Sequence, residues 1–164
     1  MADMLVKLYD KEFISKQEAL AEKGIIIKRA HVSDKNIILP FVKEHFIDDA
    51  WVNEVEYALF RYPSSCWIAV KNKELIGFAC YDTTAKGFFG PTGVRKDHRR
   101  QGIGAELLVK SMNSLKEMGY AYAIIGWVAS DAISLYSKVV GAVLIEDSEP
   151  SKSIYHNLVG INGG

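Results

Sequence analysis

The chain has 164 residues, 49% of them hydrophobic, and its 20 basic and 20 acidic side chains cancel to a formal net charge of zero. That length suits one domain with a substantial core and would cramp two. The balanced charge excludes a global field that would draw the whole molecule onto nucleic acid or an anionic membrane. Two cysteines, Cys66 and Cys80, make no disulfide framework and stand in no Cys-x-x-Cys or Cys/His cluster of the kind that holds zinc. A reducing, cytoplasmic setting without a bound metal is expected. The N-terminus Met1-Ala2-Asp3-Met4-Leu5 lacks the basic start and long apolar stretch of a signal peptide, and the longest nearly apolar run, 121–129, is about half a membrane span. Neither a membrane nor nucleic acid is therefore expected as a partner.

No internal repeat, low-complexity tract or Pro/Gly/Ser-rich linker interrupts residues 25–160, which read as one domain, with residues 1–24 as an appendage. Within the appendage, 16–23 has good helix formers, and Gly24 stops them before the β-branched run Ile25-Ile26-Ile27, a strand. Ser33-Asp34 offers caps for a helix over 37–46, with Pro40 as a possible break, and Trp51, Val55, Ala58 and Leu59 recur at helical spacing. Residues 66–70 and 75–81 flank the turn-like Lys71-Asn72-Lys73-Glu74 as a hairpin, and 87–94 extends it as a third strand. The strongest helix starts near Gly102, with Ile103, Leu107, Leu108, Met112, Leu115 and Met118 on one face and Gly119 at its end. A strand over 120–128, apolar on both sides, a helix from 130 or 131 to Val140 capped by Gly141, and strands at 143–145 and 154–158 complete the chain. The order predicts an α+β fold, a mixed sheet containing a β-α-β unit.

The segment from Val94 to Ala105 joins the third meander strand to the long helix. Four of the six side chains from Arg95 to Arg100 are cationic, and Gly102 and Gly104 follow where the first helical N–H groups have no intrahelical acceptor. Such a site attracts phosphate: glycines let a diphosphate approach the backbone, and Arg99 and Arg100 add charge-assisted hydrogen bonds. Leu107 stands where a dinucleotide fingerprint has its third glycine, and no Gly-Lys-Ser/Thr forms a P-loop. A solvated basic turn capping a helix is the plain alternative. Nucleic-acid binding would want stacking aromatics or a basic stripe elsewhere.

Arg99-x-x-Gly102-x-Gly104, after a strand and opening a helix, resembles the acetyl-CoA-binding motif of the GCN5-related N-acetyltransferase (GNAT) family. The element order over 25–158 is similar to that family's, and Ala132-x-x-Leu135-Tyr136-x-Lys138 with Gly141 resembles its late helix. The chain departs from the pattern at Ala129, where the family usually has Asn, and at Ala142, where Phe is usual. The resemblance implies a GNAT-like, largely antiparallel sheet of about six to seven strands flanked by helices, with acetyl-CoA as acyl donor and an amine-bearing acceptor. It places the diphosphate at Arg99, Arg100, Gln101, Gly102, Ile103, Gly104 and Ala105, and the pantetheine arm at Thr92, Gly93 and Val94. Gly90-Pro91-Thr92-Gly93-Val94 itself reads as a kink or as a strand ending in a turn. A homodimer is common in folds of this kind.

Tyr136 is the candidate acid for the departing thiolate; the alternative is a core tyrosine with its hydroxyl on water. Glu54, Glu56, Asp82 and His45 are possible bases, and none is assigned. Glu44, Asp48, Asp49, Glu54 and Glu56 form an acidic segment without Lys or Arg, either steering a cationic amine or merely solvating a helix face. Gly126, inside its strand, fits close approach by another backbone or a ligand. Cys66 and Cys80 lie away from both motifs, so direct transfer is expected rather than an acyl-cysteine. The rival reading is a non-catalytic acyl-CoA sensor or scaffold of the same fold.

Overall fold

The structure, a computed structural model, describes residues 1–160. Its strands are β1 (Ala2–Lys7), β2 (Ile25–Arg29), β3 (Cys66–Lys71), β4 (Glu74–Tyr81), β5 (Phe88–Val94), β6 (Tyr122–Val128) and β7 (Val143–Leu144). The helices are α1 (Gln17–Glu22), α2 (Lys35–His45), α3 (Asp49–Phe60), α4 (Ile103–Glu117) and α5 (Ile133–Val140). All seven strands form one sheet in the order β2-β3-β4-β5-β6-β1-β7. Only β5 and β6 are parallel, joined by the α4 crossover as the β-α-β pattern requires. No described helix is long and apolar enough to cross a membrane.

Both faces of the sheet are covered, which is why β4 is buried along nearly its whole length. On one face α4 lays Ile103, Leu107, Leu108, Met112 and Leu115 against Ile76, Phe89 and Ile125. On the other, α2 and α3 bring Ile38, Phe41, Val42, Val55 and Leu59 onto Ile68 and Phe78. Asp48 starts α3 by accepting the Ala50 N–H at 2.9 Å.

Residues 1–24, expected as an appendage to a domain over 25–160, are built into this sheet. β1 lies between β6 and β7, antiparallel to both, and Met4, Val6 and Leu8 are at most 1% exposed. The alternation Met4, Val6, Leu8 is a strand signal. Further on, Phe13 and Leu20 enter the main core. The buried carboxylate of Glu106 on α4 accepts the Lys16 N–H at 2.7 Å and the Ser15 hydroxyl, fixing the approach to α1.

The expected strand over 154–158 is also absent: residues 154–157 form a 3₁₀ turn packed over β6. β1 takes the place beside β6 and β7, so the late chain has no inner ladder to join. Helix α5 begins at Ile133, after a turn in which the Ala132 N–H donates to Ala129 O at 2.9 Å.

Candidate active site

The parallel pair β5/β6 is short. Phe88 faces Ile124 and Phe89 faces Ile125, and the strands then part. Gly90 turns β5 away with φ +120°, and Thr92, Gly93 and Val94 pair with Ala79, Phe78 and Gly77 of β4. β6 continues along β1 to Val128. Two cavities occupy the gap: a cleft of about 630 Å³ against the start of α4, and a cavity of about 330 Å³ against α3. They share Trp51, Phe89, Thr92, Ala132 and Tyr136, so the two spaces meet at these side chains.

The larger cleft is built around the entry to α4. Gly102, the N-cap, has φ +86° and supplies no side-chain acceptor, and the first intrahelical bond is Glu106 N–H to Gly102 O at 3.1 Å. The N–H groups of Ile103, Gly104 and Ala105 precede that bond and have no intrahelical acceptor. An ideal Cβ on Gly104 would meet only the Val94 Cγ2 at 3.8 Å, which leaves this backbone open to a ligand. Arg99 and Arg100 are exposed on the same rim, Arg99 with its Nε donating to Val94 O at 3.0 Å.

The structure sorts the remaining loop residues. Arg95 is held by Asp97 at 2.7 Å and Glu74 at 3.6 Å, so it is already neutralised. Gln101 faces away, donating to His98 O at 3.4 Å and lining a separate cavity beside α1. The Ile103 side chain is 1% exposed in the core, and only its N–H can serve a ligand. Gly93 lines the cleft, but a Cβ there would overlap the Phe46 ring, so packing alone requires this glycine. The described residues therefore bring Thr92, Gly93, Val94, Arg99, Arg100, Gly102, Ile103, Gly104 and Ala105 to one cleft, with Tyr136 at its inner end.

Residues 33–142 match the model of the acetyltransferase (GNAT) family. The chain belongs to the GNAT family. Among solved structures, the glucosamine N-acetyltransferase region of a fungal multidomain GH3 β-N-acetylglucosaminidase aligns over 88% of this chain and 19% of its own, at 16% identity and TM-score 0.69. A GCN5-related N-acetyltransferase from Sphaerobacter thermophilus aligns over 88% and 48%, at 18% identity and TM-score 0.67. Ribosomal-protein-alanine N-acetyltransferase from Brucella melitensis biovar Abortus 2308 aligns over 73% and 93%, at 20% identity and TM-score 0.51. These likenesses show a shared fold, and this chain spans half or less of the first two proteins' length. No curated protein sequence matches it.

Tyr136 of this GNAT domain packs its ring edge-on to Phe89, centroids 6.3 Å apart. Burial, reinforced by the charge of Asp131, pushes its hydroxyl up to about 12. It is protonated at neutral pH. The departures from the family pattern are structural: Ala129 closes the turn before α5, and Ala142 is buried in the core.

The smaller cavity has the opposite character. Asp48 and Glu54 line it, and no Lys or Arg does among the described residues. Glu54 accepts a hydrogen bond from Thr84 Oγ1 at 2.6 Å; burial pushes its carboxyl up, the Thr84 bond opposes this, and Asp48 adds to it. The other candidate bases are engaged elsewhere. Asp82 accepts from the Gly87 N–H and the Tyr120 hydroxyl at 2.7 Å and from Arg61 at 2.9 Å, and these contacts, outweighing burial, hold its carboxyl below the usual range. That clamp fixes the loop carrying Thr84. Glu56 pairs with Lys35 at 3.4 Å, and His45 packs on Phe41. Cys80 faces Cys66 across the β3/β4 ladder, and burial, then its hydrogen bond to Cys66, raises its thiol well above the ordinary value. It carries no thiolate nucleophile at neutral pH. Thr84, Trp127 and Tyr155 also line this cavity and were not legible as site residues, because tertiary packing alone brings them together.

Proposed function

We propose that this GNAT chain transfers an acetyl group from acetyl-CoA directly to a primary amine. The supporting observation is the junction at Tyr136, where a cleft rimmed by arginines and helix N–H groups meets a cavity lined by carboxylates. Acetyl-CoA supplies the acyl group as a thioester, with its diphosphate suited to the open N–H groups of α4 and to Arg99 and Arg100. The side of β5 facing the gap has no ladder partner after Phe89, which suits the amide groups of the pantetheine arm near Thr92, Gly93 and Val94.

On the other side of the junction the amine must lose a proton. A lysine-like amine is neutral in only about 4 × 10⁻⁴ of molecules at pH 7, about 4.6 kcal/mol of barrier if nothing assists. A carboxylate close to the nucleophile recovers part of this. Tyr136 keeps its proton until thiolate charge develops beside it. Its hydroxyl, pushed up to about 12, is a weaker acid than a free phenol. The same burial also raises the basicity of a thiolate in that pocket, so the two groups stay matched.

Titration with acetyl-CoA and amine-dependent release of free thiol test the reading. Binding in the micromolar range, weakened when Arg99 and Arg100 are both changed to Ala, and thiol release that requires a primary amine are the expected results. Binding without release for any amine would instead mark an acyl-CoA sensor.

A further inference from the structure

We propose that the acceptor is a small primary amine with one ammonium group and an apolar body, received by Glu54 and walled in by Tyr155. This rests on the acetyl transfer argued above and names its acceptor class. The cavity holds about 330 Å³, near the floor of the roughly 300–1,000 Å³ span of small-molecule sites. Its walls are mostly apolar: Trp51, Phe89, Ile125, Trp127 and Tyr155. A polyhydroxylated body would strip more hydroxyls of water there than the few polar side chains, Thr84 and Thr92 among them, can satisfy. Glu54 is the half-buried carboxylate of the cavity, whereas Asp48 is exposed and already capping α3. One inner anion matches one ammonium, and aromatic faces around it favour a cation further.

The wall at Tyr155 is fixed by the first strand. The buried carboxylate of Asp3 accepts the Trp127 N–H at 2.9 Å and the Ser153 hydroxyl, while the Asp3 N–H donates to Ser148 Oγ at 2.8 Å. Trp127 takes φ +50° where the β1/β6 register shifts, and its ring meets that of Tyr155 edge-on at 5.1 Å. Tyr155 lies over Gly126, where any Cβ would overlap its hydroxyl. Burial and the charges of Asp3 and Glu54 raise that hydroxyl, so it stays neutral beside the incoming cation.

The ammonium carries three N–H bonds, and Glu54 removes one proton, freeing the lone pair that bonds the acetyl carbon as the carbon–sulfur bond breaks. A second proton leaves the nitrogen as the amide forms and replaces the one Tyr136 gives to sulfur. Glu54 returns its proton to solvent, so one proton is released per acetyl group. The titratable groups that Glu54 interacts with electrostatically are Asp48 at the N-cap of α3, the buried Cys80 of β4 and Tyr155 of the late turn. Because Glu54 must be ionised and its carboxyl is pushed up, kcat/KM falls on acidification through a midpoint above the ordinary carboxylate value.

The test is thiol release by the full chain with 2-phenylethylamine, n-butylamine, spermidine, glucosamine and a short peptide with a free N-terminus. It is paired with calorimetric binding of 2-phenylethylamine to the CoA-loaded protein. The two apolar amines should exceed the others in kcat/KM by about tenfold or more. Glu54→Gln should lower kcat/KM about 10²- to 10⁴-fold and abolish the acid limb, with acetyl-CoA affinity kept. Tyr155→Ala should weaken 2-phenylethylamine binding about tenfold, and Tyr155→Phe, which keeps the ring, should restore it. Glucosamine, spermidine or peptide turning over as fast as the apolar amines overturns the acceptor class while acetyl transfer stands. An unchanged Glu54→Gln variant overturns its receiving role. No thiol release with any amine overturns both readings.

Discussion

An alanine at position 126 would place its methyl group on the hydroxyl of Tyr155. The Gly126→Ala chain should therefore fold with its tyrosine displaced, raising KM for the amine about tenfold while leaving the acetyl-CoA dissociation constant unchanged. Kinetics paired with calorimetry check this split, and equal KM values would mean that Tyr155 does not shape the cavity. A glycine inside an apolar strand is legible as a site of close approach. The group that approaches was not legible, because Tyr155 belongs to a segment that reads as a strand and whose position depends on Asp3. At Gly93 the family resemblance implies cofactor approach, whereas the Phe46 ring by itself accounts for the glycine. Tyr136 was singled out by the family resemblance, but its raised hydroxyl follows from burial that the sequence does not display, with Phe89 of β5 against its ring.

Helix α4 and its glycine entry were readable because the signal is local: an apolar face at helical spacing and a stop at each end. A kink or strand end at Gly90-Pro91 was readable because those residues interrupt a strand pattern, but the parting of β5 from β6 was not, since it depends on which strand the α4 crossover brings alongside. The first strand was not placed, although Met4, Val6 and Leu8 alternate, because so short a run does not say where it pairs and its partners β6 and β7 come from the far end of the sequence. β1 supplies an inner strand, the Leu8 side chain is fully buried, and the Leu8 N–H donates to Ala121 O at 2.9 Å. Leu8→Ala should cost about 2–5 kcal/mol of stability, measured by urea unfolding. A loss well below about 1 kcal/mol would mean the segment is the appendage its position suggests. Because Asp3 on β1 also holds the late turn, damage to this strand should reach the cavity at Glu54 and Tyr155 before it reaches the α4 cleft.

Across the whole molecule, a net charge of zero conceals two opposed surfaces. Arg99 and Arg100 stand at the α4 entry, and Asp48 and Glu54 line the cavity beyond Tyr136. If the exposed arginines hold the diphosphate as proposed, acetyl-CoA affinity should be sensitive to salt, because screening shortens to about 10 Å at 0.1 M and about 3 Å at 1 M. The acetyl-CoA dissociation constant should rise several-fold between about 0.05 and 0.5 M salt, and Arg99→Ala with Arg100→Ala should flatten that dependence. The most direct test is amine-dependent release of CoA thiol by the wild-type chain and by Tyr136→Phe. The account predicts release by the wild type, a kcat about 10²- to 10⁴-fold lower in the variant, and the same acetyl-CoA affinity in both. Undiminished turnover in Tyr136→Phe, or no amine-dependent release at all, would contradict it.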